Sequence, residues 1–326
     1  MVSNGTDRDR ARSERARPRV VLFGMRYVGS PPVLRELLAA GYDVRAVVMP
    51  GPPGMMALPS LPGTNVWRGN FIPLADVSTE PGNTPGENVD DMARAAGIPV
   101  LLVGSLRRPE VVAAIAAYQP DVIAVSCFSL RLPPPVLALP RFGCLNVHPS
   151  LLPRGRGSDP VFWTLRRGER ETGITIHLMD EGYDSGPILL QERVAVPEGV
   201  RLLDFERELS EQGGRLLVTA IDGLVAGEIV PTPQDDRLAT MAPEPIAEDY
   251  VVPTDRPAEW AYNFVRGVAP LNGPLMLHVA GTNERSRLHD AISYSRDGRQ
   301  KLPIERSDNE ILVQFAPGVV RFSTAG

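Results

Sequence analysis

Three consecutive segments constrain the fold of this chain more than any other feature: "RVVLFG" (19–24), "SPPVLRELLAAG" (30–41) and "YDVRAVVMP" (42–50). The first is a short apolar run closing on Gly24 and reads as a buried strand. The second reads as a helix with prolines in its first turn and Gly41 as its stop, and the third as another strand. Strand, helix and strand at this spacing form a parallel unit with a right-handed crossover, whose ligands collect at the C-terminal ends of the strands. The alternation resumes with strand "IPVLLV", helix "RRPEVVAAIAAYQ" with Val111, Val112, Ile115 and Ala116 on one face, and strand "DVIAVSC". "DPVFWTLRRGE" follows as a helix, "TGITIHLM" as a strand, and about Leu202 to Ala226 as a long amphipathic helix. The expected class is α/β: a Rossmann-like, mostly parallel sheet with flanking helices, plus a small C-terminal β-rich, OB-like domain. The expected division is a disordered arm (1–17), a Rossmann-like catalytic domain (18–205), a helix and linker (206–243) and the small domain (244–326). The turn at Gly24 is not G-x-G-x-x-G, so no dinucleotide site is read from it.

Residues 50–92 are rich in Pro and Gly and show no clear period. A functional lid or a partly disordered loop is expected there, with Trp67 and Phe71 as its anchors.

Composition narrows the function classes. Apolar residues make up 43% and the formal net charge is −5, which suits a soluble globular protein. An acidic chain is a poor polyanion binder, because nucleic-acid affinity comes from neutralised phosphates. Cys127 and Cys144 are too few for a disulfide framework or a four-ligand zinc site, so two buried thiols in a reducing, cytoplasmic setting are expected. No grouping of His, Cys, Asp and Glu has metal-ligand spacing, and no metal is expected. No apolar run reaches the roughly 18 residues of a membrane span. The polar, Arg-rich opening lacks the apolar core of a secretory signal. A homodimer is left open.

The chain has four histidines, and one stands in "CLNVHPSLLPRGRG" (144–157). Asn146 and His148, at i and i+2 near a strand end, project on one side of the sheet, and Pro149 ends the strand. Asp184, in the Gly-flanked turn "EGYDSG" beyond the next apolar strand, would reach His148 if adjacent strand ends lie side by side, as in a parallel sheet. Asn, His and Asp without a Ser or Cys nucleophile suit direct group transfer: an amide for an oxyanion, an imidazole for protons, a carboxylate to orient it. A buried histidine capping a strand and an aspartate in an Asx turn fit the same spacing equally well. His177 reads as a satisfied strand histidine, and His278 and His289 as structural.

"NVHPSLLPRGRG" followed by "TGITIHLMDEGYDSGPILLQE" resembles the signature of the 10-formyltetrahydrofolate-dependent formyltransferases. The resemblance extends to "VVLFG…VLRELLAAGYDVRAVV", to "PDVIAVSCFSLRLPPPVLALPRFGCLNVHPS" and more weakly to "EIVPTPQDDRLATMAPEP", covering roughly residues 19–243. It implies Asn146, His148 and Asp184 as catalytic residues and 10-formyltetrahydrofolate as formyl-donor cosubstrate. The folate would lie along Phe128, Leu130 and Leu132 and along the turn Asp180, Glu181, Gly182 and Tyr183. Leu130 and Leu132 serve equally as core leucines. The acceptor is expected at Gly24, Met25, Arg26, Tyr27 and Arg154.

The acceptor amine is the open question. Length and layout resemble the methionyl-tRNA formyltransferases, in which a small β-domain follows the catalytic one. "TDRPAEWAYNFVRGVAPLNGP" fits that domain's first helix, with Asp255 as N-cap and Pro257 in the first turn. From Met241 onward, however, nine Arg and Lys face eleven Asp and Glu, and tRNA binding requires phosphate-neutralising charge. The charge therefore favours a small-molecule amine: an amino sugar, a hydroxylated amino acid or a natural-product intermediate. Methionyl-tRNA is the alternative acceptor, and hydrolysis of the same folate is a third reading.

Overall fold

A computed structural model describes residues 17–26, 29–51, 88–271 and 275–324 of the protein. One sheet holds β1 (Arg19–Gly24), β2 (Asp43–Pro50), β3 (Val100–Val103), β4 (Val122–Ser126), β5 (Cys144–His148), β6 (Glu171–Leu178) and β7 (Ile188–Ala195). Their order is β3-β2-β1-β4-β5-β6-β7. β1 pairs in parallel with β2 and β4, β2 with β3, and β4 with β5. β6 and β7 run antiparallel to their neighbours. The sheet is mostly parallel as expected, but its β6–β7 edge is not. Asp184 lies in the β6–β7 hairpin turn, which starts beside the beginning of β5 and has to double back to reach His148.

Alternate residues of the central strands feed two cores, as the period-2 pleat requires. Val20, Leu22, Val122, Ala124, Leu145 and Val147 pack beneath α1 (Ser30–Ala39) and the long α6 (Leu202–Ala226). Val21, Phe23, Ile123 and Val125 pack beneath α3 (Pro109–Ala116) and the short α4 (Pro134–Leu137). α6 lies close on β5, because a Cβ on Gly213 would stand 2.5 Å from Val147 Cγ1. The expected division at 205/206 thus falls inside a helix that packs on the sheet. Overlapping the end of the segment expected to be irregular, Val89–Ala95 is a helix (α2), started by Asn88, whose side chain accepts from Asp91 N–H at 2.8 Å. Trp67 and Phe71 lie outside the described residues. Arg17, placed in the arm, pairs with Asp222 at 3.5 Å and stacks over Tyr42.

After α5 (Pro160–Arg167) and α6, the C-terminal region begins with β8 (Val251–Pro253) and α7 (Ala258–Val268). β9 (Met276–His278), β10 (Arg285–Arg287), β11 (Asp290–Ser295), β12 (Ile304–Arg306), β13 (Glu310–Gln314) and β14 (Val319–Ser323) follow. They form a three-stranded sheet, β10-β9-β8, and a four-stranded antiparallel sheet, β11-β14-β13-β12. The N-cap of α7 is Pro257, not Asp255. A side-chain cap is unnecessary there, because the Ala258 N–H donates to the Pro317 carbonyl at 2.8 Å. The region is joined to the main sheet through α5 and α7. Phe264 meets Phe162 with ring centroids 5.7 Å apart. Trp260 Nε1 and the Arg256 guanidinium donate to the Arg166 carbonyl at the end of α5, at 2.9 and 3.0 Å. Among the described residues no helix is long and apolar enough to cross a membrane.

Candidate active site

β5 delivers Asn146 and His148 to the same side of the sheet, while Val147 between them turns into the core beneath α6. The antiparallel register sets Asn146 opposite His177 and His148 opposite Thr175. His177 therefore joins the group, although its sequence context suggests only a strand histidine. An apolar run pairs equally well in either direction, and only the antiparallel register makes His177 a neighbour of Asn146.

Asp184 closes the site from the hairpin turn in a left-handed conformation, φ 48°. Its Oδ2 accepts from the Gly157 N–H at 2.9 Å and stands 3.7 Å from His148 Nδ1; its Oδ1 lies 3.2 Å from Asn146 Nδ2 and 3.5 Å from His177 Nε2. Asn146 Nδ2 also lies 3.2 Å from His177 Nε2. His177 Nδ1 meets the Leu178 carbonyl at 2.9 Å. A carbonyl only accepts, so Nδ1 carries that proton, and an amide N–H only donates, so Nε2 accepts from Asn146. By the same logic His148 Nε2 donates to the Gly155 carbonyl at 2.8 Å, which leaves Nδ1 as the basic nitrogen, aimed at Asp184.

Burial pushes the His148 imidazole below its ordinary value, with Asp184 pulling the other way. Burial also opposes the charge on Asp184, but the His148 imidazole and the Gly157 N–H outweigh it and hold the carboxyl well below the usual range. The site thus pairs a carboxylate with a buried imidazole that gains a favourable partner whenever it takes a proton.

The segments expected to hold folate come together at one rim. Arg131 stacks over the exposed ring of Tyr183, 5.5 Å from its centroid, which joins the strand-end segment 127–132 to the 180–184 turn. Asp180 organises that turn by accepting from Gly182 N–H at 2.9 Å and Ser185 Oγ at 2.8 Å. Glu181 is exposed on it. Phe128 and Leu130 are partly buried, Phe128 against Phe23 at 5.1 Å, whereas the Leu132 side chain is 3% exposed and committed to the core. Cys127, expected to be buried, is exposed just past the end of β4 with φ 49°.

Of the residues expected at the acceptor, Gly24 is fixed by packing, because a Cβ would stand 2.5 Å from Ser30 Oγ. Met25 is 44% exposed, with its N–H donating to Ser30 Oγ at 2.9 Å. Arg26 pairs with Asp90 at 3.1 Å. Tyr27 lies outside the described residues. Arg154 is exposed and lines a small cleft with Ser150, Thr164, Arg167 and Glu171, none of them the Asn146, His148 or Asp184 group.

A family model described as formyl transferase matches residues 83–221. The methionyl-tRNA formyltransferase of Synechococcus sp. (strain JA-3-3Ab) is 44% identical over 180 residues, 55% of this chain and 56% of the relative. The alignment with that relative thus spans little more than half its length. The methionyl-tRNA formyltransferase of Geotalea uraniireducens is 32% identical over 305 residues, 90% of each chain. Among solved structures, WlaRD, a sugar 3N-formyl transferase crystallised with dTDP and 5-N-formyl-THF, matches 94% of this chain and 97% of its own with a TM-score of 0.62 at 12% identity. At that identity the likeness is one of fold.

Proposed function

The chain belongs to the family of 10-formyltetrahydrofolate-dependent formyltransferases, and from that premise we propose that it moves the formyl group of 10-formyltetrahydrofolate onto a primary amine at Asn146, His148 and Asp184. The observation that carries this reading is the convergence of the three side chains at the mouth of β5 without a side-chain nucleophile among them. The amine nitrogen bonds to the formyl carbon, the bond from that carbon to the folate nitrogen breaks, and the proton lost by the amine reaches the leaving nitrogen. No oxidant or reductant enters.

His148 Nδ1 is the proton acceptor, neutral at working pH because burial lowers its affinity for a proton. Asp184 then stabilises the imidazolium. Asn146 supplies the amide N–H to the carbonyl oxygen as it gains charge. Both of its N–H groups already face partners, at 3.2 Å each. These are the longest acceptable hydrogen bonds, so exchanging one for an oxyanion costs little. The exposed Tyr183 and its turn are the surface against which the folate rests.

For the acceptor we take charged initiator methionyl-tRNA. The support is a relative of that activity aligned along 90% of the chain, C-terminal region included. A second reading, a small-molecule amine, is favoured by one observation. Several of the C-terminal arginines are committed internally: Arg296 to Glu259 at 2.9 Å, Arg306 to Glu284 at 2.7 Å, Arg321 to Glu310 at 3.0 Å, and Arg256 over Trp260 at 3.7 Å. Those side chains are less available to phosphates. Incubation with formyl-labelled donor, charged initiator tRNA and a panel of amino sugars and amino acids separates the two. Label on the tRNA supports the first reading; label only on a small amine supports the second.

A further inference from the structure

We propose that Gln234 is a positioning residue for the reaction, the bolt that holds the Asp184 turn in register with the loop that holds His148. The inference rests on the reading of Asn146, His148 and Asp184 given above. Gln234 lies after α6, in the segment that returns across the site, and its amide uses every polar atom it has. Nε2 donates to the Asp184 carbonyl and to the Gly186 carbonyl, both at 2.7 Å. Oε1 accepts from Arg156 Nε at 3.1 Å and from Arg156 Nη2 at 2.8 Å. The orientation is unambiguous, since the flipped amide would set N–H against a guanidinium and oxygen against two carbonyls.

Arg156 is 8% exposed and stands in the loop between β5 and α5. Its Nη2 also reaches Asp236 at 2.8 Å. Its backbone pairs with the returning segment, Arg156 N–H to the Thr240 carbonyl at 2.9 Å and Ala242 N–H to the Arg156 carbonyl at 2.7 Å. On one side of Arg156 is Gly155, whose carbonyl takes His148 Nε2–H; on the other is Gly157, whose N–H donates to Asp184 Oδ2. Gln234 and Arg156 together therefore span the partner of His148 and both ends of Asp184. Asp184 requires such a hold, because a non-glycine residue at φ 48° is strained and persists only where its surroundings impose it. The separation of 3.7 Å between His148 Nδ1 and Asp184 Oδ2 is what the bolt maintains.

Gln234→Glu keeps the acceptor for Arg156 and loses both donors; Gln234→Met keeps the volume and loses every bond. Two measurements apply to each folded variant: the NMR titration of the His148 imidazole, and kcat and KM for formyl transfer. The expected result in Gln234→Met is a His148 midpoint displaced to lower pH, because the imidazolium loses part of its carboxylate partner, while in Gln234→Glu the added charge works against that displacement and the fall in kcat is the readout. In both variants kcat falls by about tenfold or more, with a donor KM within about threefold of wild type. A folded variant of either kind with an unchanged His148 midpoint and unchanged kcat overturns the proposal. The titration needs no turnover. If wild-type protein shows no formyl transfer, the proposed reaction fails while the coupling of Gln234 to His148 is still decided.

Discussion

Asn146 on β5 stands directly across the antiparallel register from His177 on β6, and its amide nitrogen lies equally far, 3.2 Å, from His177 Nε2 and Asp184 Oδ1. The amide is held with its N–H groups pointing into the site rather than into the sheet. Asn146→Asp should therefore abolish transfer, lowering kcat by about 10²–10³ or more, since a carboxylate donates nothing to an oxyanion and sits against Asp184. His177→Phe, which keeps the ring and removes the acceptor, should lower kcat less, by about tenfold, by freeing the amide to rotate. Steady-state kinetics on both folded variants checks the order; equal losses would contradict the hierarchy.

The pH profile follows from His148. Its folded value lies below 6.5, so the base is neutral at pH 7 and kcat/KM should rise with pH along an acid limb whose midpoint is below 6.5. Asp184 raises His148's proton affinity, so Asp184→Asn should displace that limb further down while lowering the plateau. Stability has the same sign. The unfolded chain holds the proton more tightly at this residue, so its contribution is full above about pH 6.5 and is lost as pH falls below it. A limb that moved upward in Asp184→Asn would contradict the assignment.

Glu206 gives the opposite stability signature. Burial, and then the charge of Asp159, raise its carboxyl from 4.5 to about 7. The folded state holds this proton more tightly than the unfolded chain, so the contribution is full below about pH 4.5 and is lost as pH rises through 7. Gln mimics the protonated side chain. Glu206→Gln should raise stability at pH 8 by up to about 3 kcal/mol and leave it unchanged near pH 4. Denaturant unfolding at both pH values measures the difference; equal effects at the two would exclude the buried charge as the cause.

Gly157 has φ +127°, and a Cβ there would stand 2.6 Å from the Ala242 carbonyl oxygen. Both constraints penalise a side chain. Gly157→Ala should cost about 1–3 kcal/mol and reduce activity beyond the loss of folded protein, because the displaced residue is the one whose N–H holds Asp184. Thermal unfolding and kcat on the same preparation separate the two effects.

The parallel half of the fold is legible in residues 19–50 and 98–126, because a strand buried on both faces must be a continuous apolar run and a covering helix must show one apolar stripe. The pairing of Asn146 with His148 on one side of the sheet is legible for the same reason, from period 2 alone. Strand direction is not. "TGITIHLM" carries no mark of running antiparallel, and the partnership of His177 with Asn146 follows only from that direction. Asn88 and Asp91 did carry a helix start in a segment read as irregular, overshadowed by the Pro- and Gly-rich run before them. The role of Arg156 and Gln234 lies 78 residues apart in the chain, beyond the reach of any local pattern. In "PRGRG", Arg154 and Arg156 look alike, yet one is exposed and the other is locked inside the site.

The most direct measurement is tetrahydrofolate release from 10-formyltetrahydrofolate by wild type and by folded His148→Ala, with charged initiator tRNA, with the amine panel, and with no acceptor. Release should depend on an acceptor in wild type and fall by about 10³ or more in His148→Ala. Equal release without any acceptor would make the protein a formyl-folate hydrolase, and wild-type release by folded His148→Ala would remove this site from the chemistry.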